Sequence, residues 1–564
     1  MENKEYMLID GNPVEINGEK NLLEVIRKAG IELPTFCYHS ELSVYGACRM
    51  CMVENSHGGM EAACSTVPKA GMEIYTNTER LHKHRKMILE LLLANHCRDC
   101  TTCQKNGKCR LQELASLFGL ESIRFKNLKP EPELDTSSLS IIRDAHKCIL
   151  CGDCVRMCNE IQNVGAIDFV NRGSKMVIGP AFNEPIANSP CVGCGQCAAV
   201  CPTGAIVIRK DTGRVWPELN DKNTKVVAQV APAVRVAMAK EFGLPENENS
   251  MGRITAALRR LGFDEVYDTA TGADLTVLEE SNEFLQRIEA GENLPLITSC
   301  CPAWIQYCEK NHPELMKNIS TCKSPMQMFS SVIKAEYANS SRRVVCVAVM
   351  PCTAKKFECA REEFMHDGVP ETDYVITTQE LIQMIHKAGI VFDDLEPEAV
   401  DSVFSTCTGA GVIFGVTGGV TEAVLRRLST DKSKKALLSI AFNDVRGMKG
   451  VKETTIPYGD KEVRIAIVSG LKNAESVIQA LKNGEHFDFI EVMACPGGCV
   501  AGGGQPFGTN ATKEVRGKAL YSADKMLSIK RSEENPLMLS LYDGVLKGRV
   551  HELLHVHYNH KEEE

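Results

Sequence analysis

Two stretches of this chain repeat one cysteine spacing: CILCGDCVRMC (148–158) and CVGCGQCAAVCP (191–202) both contain C-x2-C-x2-C-x3-C. Thiolates are soft anionic ligands, and this spacing grips 4Fe-4S clusters, the fourth cysteine of each run crossing to the other cluster. One cluster would take Cys148, Cys151, Cys154 and Cys201, and the other Cys158, Cys191, Cys194 and Cys197. Structural zinc motifs also pair cysteines, but they do not interleave in this way.

Further groups flank the repeat. Cys37, Cys48, Cys51 and Cys64 are separated by ten, two and twelve residues, a pattern open to 2Fe-2S or zinc, since it is not the plant-type spacing. His96, Cys100, Cys103 and Cys109 would form a set in which a neutral imidazole replaces one thiolate and raises the cluster's potential. Cys97 lies inside this motif and is read as the non-ligand, with the reverse assignment open. Later, LPLITSCC, VVCVAVMPC and FIEVMACPGGC each place cysteine just beyond a strand-like run. In an open α/β sheet, ligands sit in the crevice at the strands' carboxyl ends. The glycines around Cys499 would let backbone approach a bulky group closely. VLEESNEFLQR (277–287) places Glu280, Glu283 and Arg287 on one helix face. Such glutamates are an exposed charged stripe by spacing alone, and would be costly if buried without partners.

The elements that must position these groups change along the chain. MLIDGNPVEIN reads as a hairpin and NLLEVIRKAG as a helix stopped by Gly30, followed by a mostly helical stretch over 79–125. KPEPELDTSS (129–138) is a polar, proline-bearing linker. From about residue 225 buried strand runs (VVAQV, LPLIT, VVCVAV, VRIAIV, FIEVM) alternate with helical segments.

The chain's 564 residues are 44% hydrophobic, enough for several cores. Its 26 cysteines, without an export signal, point to metal binding rather than disulfides. No apolar run approaches a membrane span, so a cytoplasmic protein is expected. A net charge of -9 offers no broad basic footprint for nucleic acid. The local run RLHKHRK (80–86) reads as a solvated helix face, with docking of an acidic electron carrier as the alternative.

TSCCPAW (298–304), MPCTAKKFE (350–358) and EVMACPGGCVAGGGQP (491–506) resemble, in order, the three signature motifs of iron-only (FeFe) hydrogenases. The Cys37 group with ELSVYGACRMC (41–51), and the His96 group, resemble the front end of the large iron–sulfur subunit of complex I and of modular hydrogenases. The segments around ENPLMLSLYDGVLKG and HELLHVHY (551–558) resemble the family's C-terminal extension, expected to wrap the catalytic domain.

The resemblance implies a multidomain α+β and α/β chain. Residues 1–78 would be a β-grasp 2Fe-2S ferredoxin-like domain, and 79–128 a small helical 4Fe-4S domain with one histidine and three cysteine ligands. Residues 139–210 would be a bacterial two-cluster ferredoxin domain, 225–515 the α/β H-cluster catalytic domain, and 516–564 a helical small-subunit-like extension. Its cofactors would be one 2Fe-2S cluster, three accessory 4Fe-4S clusters and the H-cluster, a 4Fe-4S cubane bridged to a diiron unit carrying CO, CN and dithiolate. The ligands carried over are Cys301, Cys352, Cys495 and Cys499, with Cys499 as the bridge.

In the family pattern Cys300 sits beneath the open iron and exchanges a proton with the bridgehead amine. The implied relay runs Cys300, Glu280, Ser320, Glu283, with Arg287 near the mouth. Lys355 corresponds to a cyanide-binding lysine, and Met350 and Met493 to methionines against the diiron site. Pro232, Ser324 and Phe414 align with other pocket positions. Ala233 stands where some members have serine, and Met326 where many have glutamine, which leaves a cyanide hydrogen bond and part of the iron environment open.

The implied activity is interconversion of protons, electrons and dihydrogen. Expected partners are maturation proteins and either ferredoxin or flavin-bearing NAD(P)-linked subunits, the complex-I-like front end favouring the latter. The alternative is a non-enzymatic iron–sulfur electron-transfer or assembly protein.

Overall fold

MLIDGNPVEIN folds as the hairpin of Glu5–Ile9 (β1) and Asn12–Ile16 (β2). Its turn residues Asp10 and Gly11 take left-handed φ of 48° and 79°, the backbone a two-residue hairpin needs. The structure is a computed structural model describing residues 5–127, 133–429, 445–458 and 461–558. Met52–Asn55 (β3), Met60–Ala62 (β4) and Glu73–Tyr75 (β5) complete a sheet ordered β2-β1-β5-β3-β4. The helix Leu22–Lys28 (α1), capped by Asn21, buries Leu22, Leu23, Val25 and Ile26. Glu79–Ala94 (α2) and Arg110–Leu117 (α3) follow.

The 80–86 run is not one solvated face. Arg85 is buried and donates to the carbonyls of Met50, Met52 and Thr76, so its charge pins α2 to the sheet. Of the proposed linker 129–138, the first four residues lie outside the described residues. The rest is tied down, Asp135 pairing with Arg143 at 3.4 Å.

The cysteine repeat is closed by Ile141–Arg143 (β6) and Ile206–Ile208 (β7), paired antiparallel. Each run turns into a short helix, Asp153–Arg156 (α4) or Gln196–Val200 (α5), through a glycine of positive φ. At Gly195, φ 70°, an added Cβ would also lie 2.3 Å from Thr353 Oγ1, so only glycine fits.

The largest unit holds two four-stranded sheets. One orders Glu265–Asp268 (β9), Thr224–Val230 (β8), Arg343–Met350 (β11) and Tyr374–Thr377 (β12), all parallel. Its strands are nearly continuous apolar runs because both faces are covered. The other orders Leu296–Ile297 (β10), Phe489–Met493 (β15), Lys461–Ser469 (β14) and Val451–Tyr458 (β13), parallel except for β13. The principal helices are Ala270–Ala290 (α6), Pro302–Asn311 (α7) and Pro325–Glu336 (α8). Proline opens α7 directly after Cys301, where its missing N–H costs nothing. Asn510–Met526 (α9), Pro536–Asp543 (α10) and Val550–Leu554 (α11) pack back on this unit. Ser532 and Asn535 both donate to the buried Asp274 carboxylate of α6. No helix among the described residues is long and apolar enough to cross a membrane.

Candidate active site

The carboxyl ends of β8, β10, β11 and β15 meet over one apolar cavity of about 90 Å³. Cys301, Cys352, Cys495 and Cys499 line it together with Cys300, Lys355, Pro232, Ala233, Met326, Met350, Met493 and Phe414. Ser324 does not. It is buried as the N-cap of α8, its hydroxyl facing the Gln327 N–H at 3.5 Å, so its place is set by the helix start.

The donor set fits a polynuclear iron–sulfur group. Burial, then the charge of the neighbouring sulfurs, pushes the Cys352 thiol up to about 11 and Cys495 and Cys499 higher still. Sulfurs that oppose one another's ionisation are relieved by a shared cationic centre. Zinc would need sulfurs about 3.8 Å apart; among the described residues no three His, Cys, Asp or Glu side chains gather tightly enough for a single ion. Gly498, φ 89°, presses its backbone against the neighbouring turn: an added Cβ would lie 2.6 Å from the Thr417 nitrogen.

Two polar features break the apolar wall. Lys355 donates to Glu358 at 2.7 Å and to the Cys300 carbonyl at 3.3 Å. Burial alone would lower its pKa, but Glu358 and the sulfurs of Cys352 and Cys300 raise it, so the cavity keeps a cation. Burial, followed by the charge of the Glu280 carboxyl, raises the Cys300 thiol far above the usual range.

The glutamates are not an exposed stripe. Glu280 is 1% exposed, and burial, then Glu283 and Glu491, push it up to about 8. Neither Glu280 oxygen has a donor in hydrogen-bonding geometry among the described residues, although Ser320 and the Ser299 backbone lie close enough to oppose that shift. The Ser320 hydroxyl is spent on Glu283, at 2.8 Å. Arg287 donates to Glu283 at 2.5 Å and to the carbonyls of Asn318 and Ile319 at 2.9 Å. Hydrogen bonds thus join Ser320, Glu283 and Arg287, while Glu280 acts on Cys300 through its charge.

Known proteins match along almost the whole length. A family model described as "Iron only hydrogenase large subunit, C-terminal domain" matches residues 224–503. The NADP-reducing hydrogenase subunit HndD of Solidesulfovibrio fructosivorans is 41% identical, covering 98% of both chains. The chain belongs to the iron-only hydrogenase family.

Iron hydrogenase 1 of Clostridium pasteurianum is 35% identical to this hydrogenase over 98% of it and 99% of that protein. A solved variant of the [FeFe]-hydrogenase HydA1 from Chlamydomonas reinhardtii is 36% identical, with a TM-score of 0.53 over 62% of this hydrogenase and 98% of that chain. Further family models match a 2Fe-2S binding domain (6–79), an NADH-ubiquinone oxidoreductase-G iron–sulfur region (85–124), a 4Fe-4S dicluster domain (147–209) and an iron hydrogenase small subunit (510–561). The hydrogenase is thus a multidomain iron–sulfur protein with an electron relay ahead of its catalytic domain.

Eight accessory cysteines of the hydrogenase line two cavities. One cavity is lined by Cys148, Cys151, Cys154 and Cys201, and another by Cys158, Cys191, Cys194 and Cys197, so each run lends its last cysteine to the other. In the front domain the Cys48 N–H faces Cys37 Sγ at 3.4 Å, and Cys51 and Cys64 act on each other's ionisation. Cys109 is raised by burial and then by Cys103 and Cys100. His96 stands just past the end of α2, whereas Cys97 turns its thiol to Asp99 at 3.3 Å.

Sequence reasoning missed several positioning residues of the hydrogenase. Gln196, inside the second repeat, donates to Cys495 Sγ at 3.1 Å and to the Ala501 carbonyl at 2.9 Å. Glu491 holds the Gly418 and Thr421 N–H groups at 2.7 and 2.8 Å. Both lie within motifs already singled out, but their partners are distant in sequence. Glu358, three residues after Lys355, was legible as a helical i, i+3 ion pair.

Proposed function

We propose that this hydrogenase interconverts protons, electrons and dihydrogen by keeping two routes apart, with Cys300 on the wall of the four-cysteine cavity and the buried Glu280 carboxyl near enough for its charge to act on that thiol as the observation that carries the reading. Cys301, Cys352, Cys495 and Cys499 would hold the H-cluster, Cys499 as the bridge. When bound, that group supplies the iron pair at which dihydrogen is made or split.

The chain's own residues do the rest. Cys300 Sγ holds a proton at the cavity wall, and Glu280, near neutral charge at pH 7, replaces it. Ser320 passes the proton on toward Glu283, and Arg287 holds the Glu283 carboxylate at the mouth. Lys355 orients anionic ligands of the bound group through its charge, while Pro232, Ala233, Met326, Met350, Met493 and Phe414 keep water out. Ser324 acts only through the start of α8.

Electrons would travel through one 2Fe-2S cluster on Cys37, Cys48, Cys51 and Cys64 and three 4Fe-4S clusters, one held by His96, Cys100, Cys103 and Cys109. Three contacts support that order. Cys37 and Cys151 share one apolar cluster, an added Cβ at Gly204 would meet Cys103 Sγ at 2.7 Å, and the charge of Cys495 raises Cys194. A flavin-bearing NADP-linked subunit fits the front end better than ferredoxin alone, because the NADP-reducing hydrogenase subunit is the more similar of the two full-length relatives, 41% against 35% identical. A role confined to electron transfer or cluster assembly leaves the cavity thiol of Cys300 and the buried Glu280 carboxyl without a use.

The test is infrared spectroscopy and turnover on natively matured protein. The expected result is carbonyl and cyanide bands in wild type and in Cys300→Ala, with turnover nearly abolished in the variant. Wild-type turnover in Cys300→Ala refutes the relay. Co-purification of a flavoprotein decides between the two electron partners.

A further inference from the structure

The loop that holds the outer end of the relay does not stand alone: the last described residues of the chain clamp it. Thr321 donates its backbone N–H to both Glu283 oxygens, at 3.2 and 3.0 Å. Cys322 donates its N–H to Ser320 Oγ at 3.2 Å, which steers that hydroxyl toward Glu283. Residues 320–322 therefore fix the Glu283 carboxylate together with Arg287.

The outside of the same loop is paired like a strand with the C-terminal segment. Cys322 and His555 form an antiparallel bridge. Val556 N–H donates to the Thr321 carbonyl at 2.7 Å, and Lys323 N–H donates to the Leu554 carbonyl at 2.8 Å. At the centre the His555 ring spans two groups: Nδ1 lies 2.9 Å from Thr321 Oγ1, and Nε2 lies 3.1 Å from Glu279 Oε2. Both His555 and Glu279 side chains are only 9% exposed.

The roles on the ring follow from the carboxylate. Burial alone would raise the Glu279 pKa, but hydrogen bonds from His555 and Tyr542 lower it, so it is an anion and can only accept. Nε2 therefore carries a proton, and Nδ1 shares a hydrogen bond with the Thr321 hydroxyl. Glu279 is the helical neighbour of Glu280, and Tyr542 of α10 donates to its second oxygen. One imidazole thus ties α6, which carries the relay carboxyls, to the loop that carries the relay serine.

We infer that His555 is a positioning residue for proton transfer, the C-terminal segment acting as a splint that holds Ser320 and Glu283 at transfer distance. The inference rests on the relay reading above. Its chemistry is orientation: proton transfer needs donor and acceptor within hydrogen-bond reach, and loss of that geometry is felt in rate before it is felt in fold. The bridge through Val556 and Lys323 uses backbone groups, so the loop retains its course when only the ring is changed.

The experiment uses full-length, matured enzyme in three variants. His555→Leu removes both ring hydrogen bonds, Thr321→Val removes only the hydroxyl, and His555→Gln restores a donor and an acceptor on a similar stem. Turnover, its solvent deuterium isotope effect, the infrared bands and the unfolding midpoint are read for each. Expected are a turnover loss of about tenfold in His555→Leu, a smaller loss in Thr321→Val, and partial rescue in His555→Gln. The isotope effect should rise as turnover falls, with infrared bands unchanged. Should His555→Leu fail to fold, Thr321→Val carries the same test.

A wild-type rate and isotope effect in Thr321→Val and His555→Leu overturns the inference, as does a lowered midpoint with no change in isotope effect. These outcomes are separate from failure of the relay itself, which Cys300→Ala reports. Full activity there removes the relay, whereas loss there with wild-type behaviour at His555 removes only the splint.

Discussion

Ser320 Oγ lies 2.8 Å from Glu283 Oε2, joining the loop after α7 to the helix before β10, residues 37 positions apart. Set between Glu280 and Glu283, a hydroxyl can both accept and donate a proton. Ser320→Ala should lower turnover roughly a hundredfold while leaving the infrared bands in place. The check is steady-state dihydrogen evolution beside infrared spectroscopy, and an unchanged rate would mean protons bypass Ser320.

Glu280 supplies a pH signature. Its carboxyl is pushed up to about 8 by burial and then by Glu283 and Glu491, so the folded protein binds this proton more tightly than the unfolded chain does. That contribution to stability is complete below the ordinary carboxylate range and is lost as pH rises through about 8, amounting to roughly 5 kcal/mol. Glu280→Gln should flatten the stability curve over this window and also remove turnover, since an amide cannot relay a proton. Denaturant titrations at several pH values decide it, and parallel curves for the two proteins would contradict the shift.

The two groups of cysteines that share cavities were legible because their spacing is short and local: the repeat around Cys148 and Cys191 needs no knowledge of the fold. The strand runs ending at Cys301, Cys352 and Cys495 were equally plain, since strands covered on both faces must be apolar throughout. The sequence misled where burial decides. Glu280 and Glu283 share helical spacing with any solvated stripe, and Arg85 sits in a run of basic residues that looks exposed. Ser324 resembled a pocket residue, but the helix that follows uses its hydroxyl as a cap. His555 and Gln196 were invisible because their partners lie 234 and 299 positions away.

Gly498 takes φ 89° beside the proposed bridging cysteine, and an added Cβ would lie 2.6 Å from the Thr417 nitrogen and 2.9 Å from the Val416 carbonyl carbon. Backbone cannot yield as a side-chain tip does, so Gly498→Ala should cost about 2–3 kcal/mol and displace Cys499. The prediction is a lowered unfolding midpoint and weak or absent carbonyl bands after maturation. Gly497→Ala is the comparison: it has a similar φ of 92° but meets only the flexible end of Met448, so its loss should be smaller. Equal losses in the two variants would show that backbone conformation, not the contact with Thr417 and Val416, sets the cost.

Arg85 gives a prediction confined to the front of the chain. Its guanidinium donates to three carbonyls, of Met50, Met52 and Thr76, at 3.3, 2.9 and 3.0 Å, and Met50 and Met52 flank the proposed ligand Cys51. Arg85→Met keeps the apolar stem and removes the donors, leaving buried carbonyls without their partner, at a cost of roughly 2–4 kcal/mol. The loss should appear in the 2Fe-2S domain alone, because these contacts all lie within residues 50–85. Electron paramagnetic resonance of reduced protein should show the 2Fe-2S signal weakened while the infrared bands of the catalytic domain persist. A full 2Fe-2S signal with an unchanged unfolding midpoint would show that the cation is not what holds α2 against the cysteine loop.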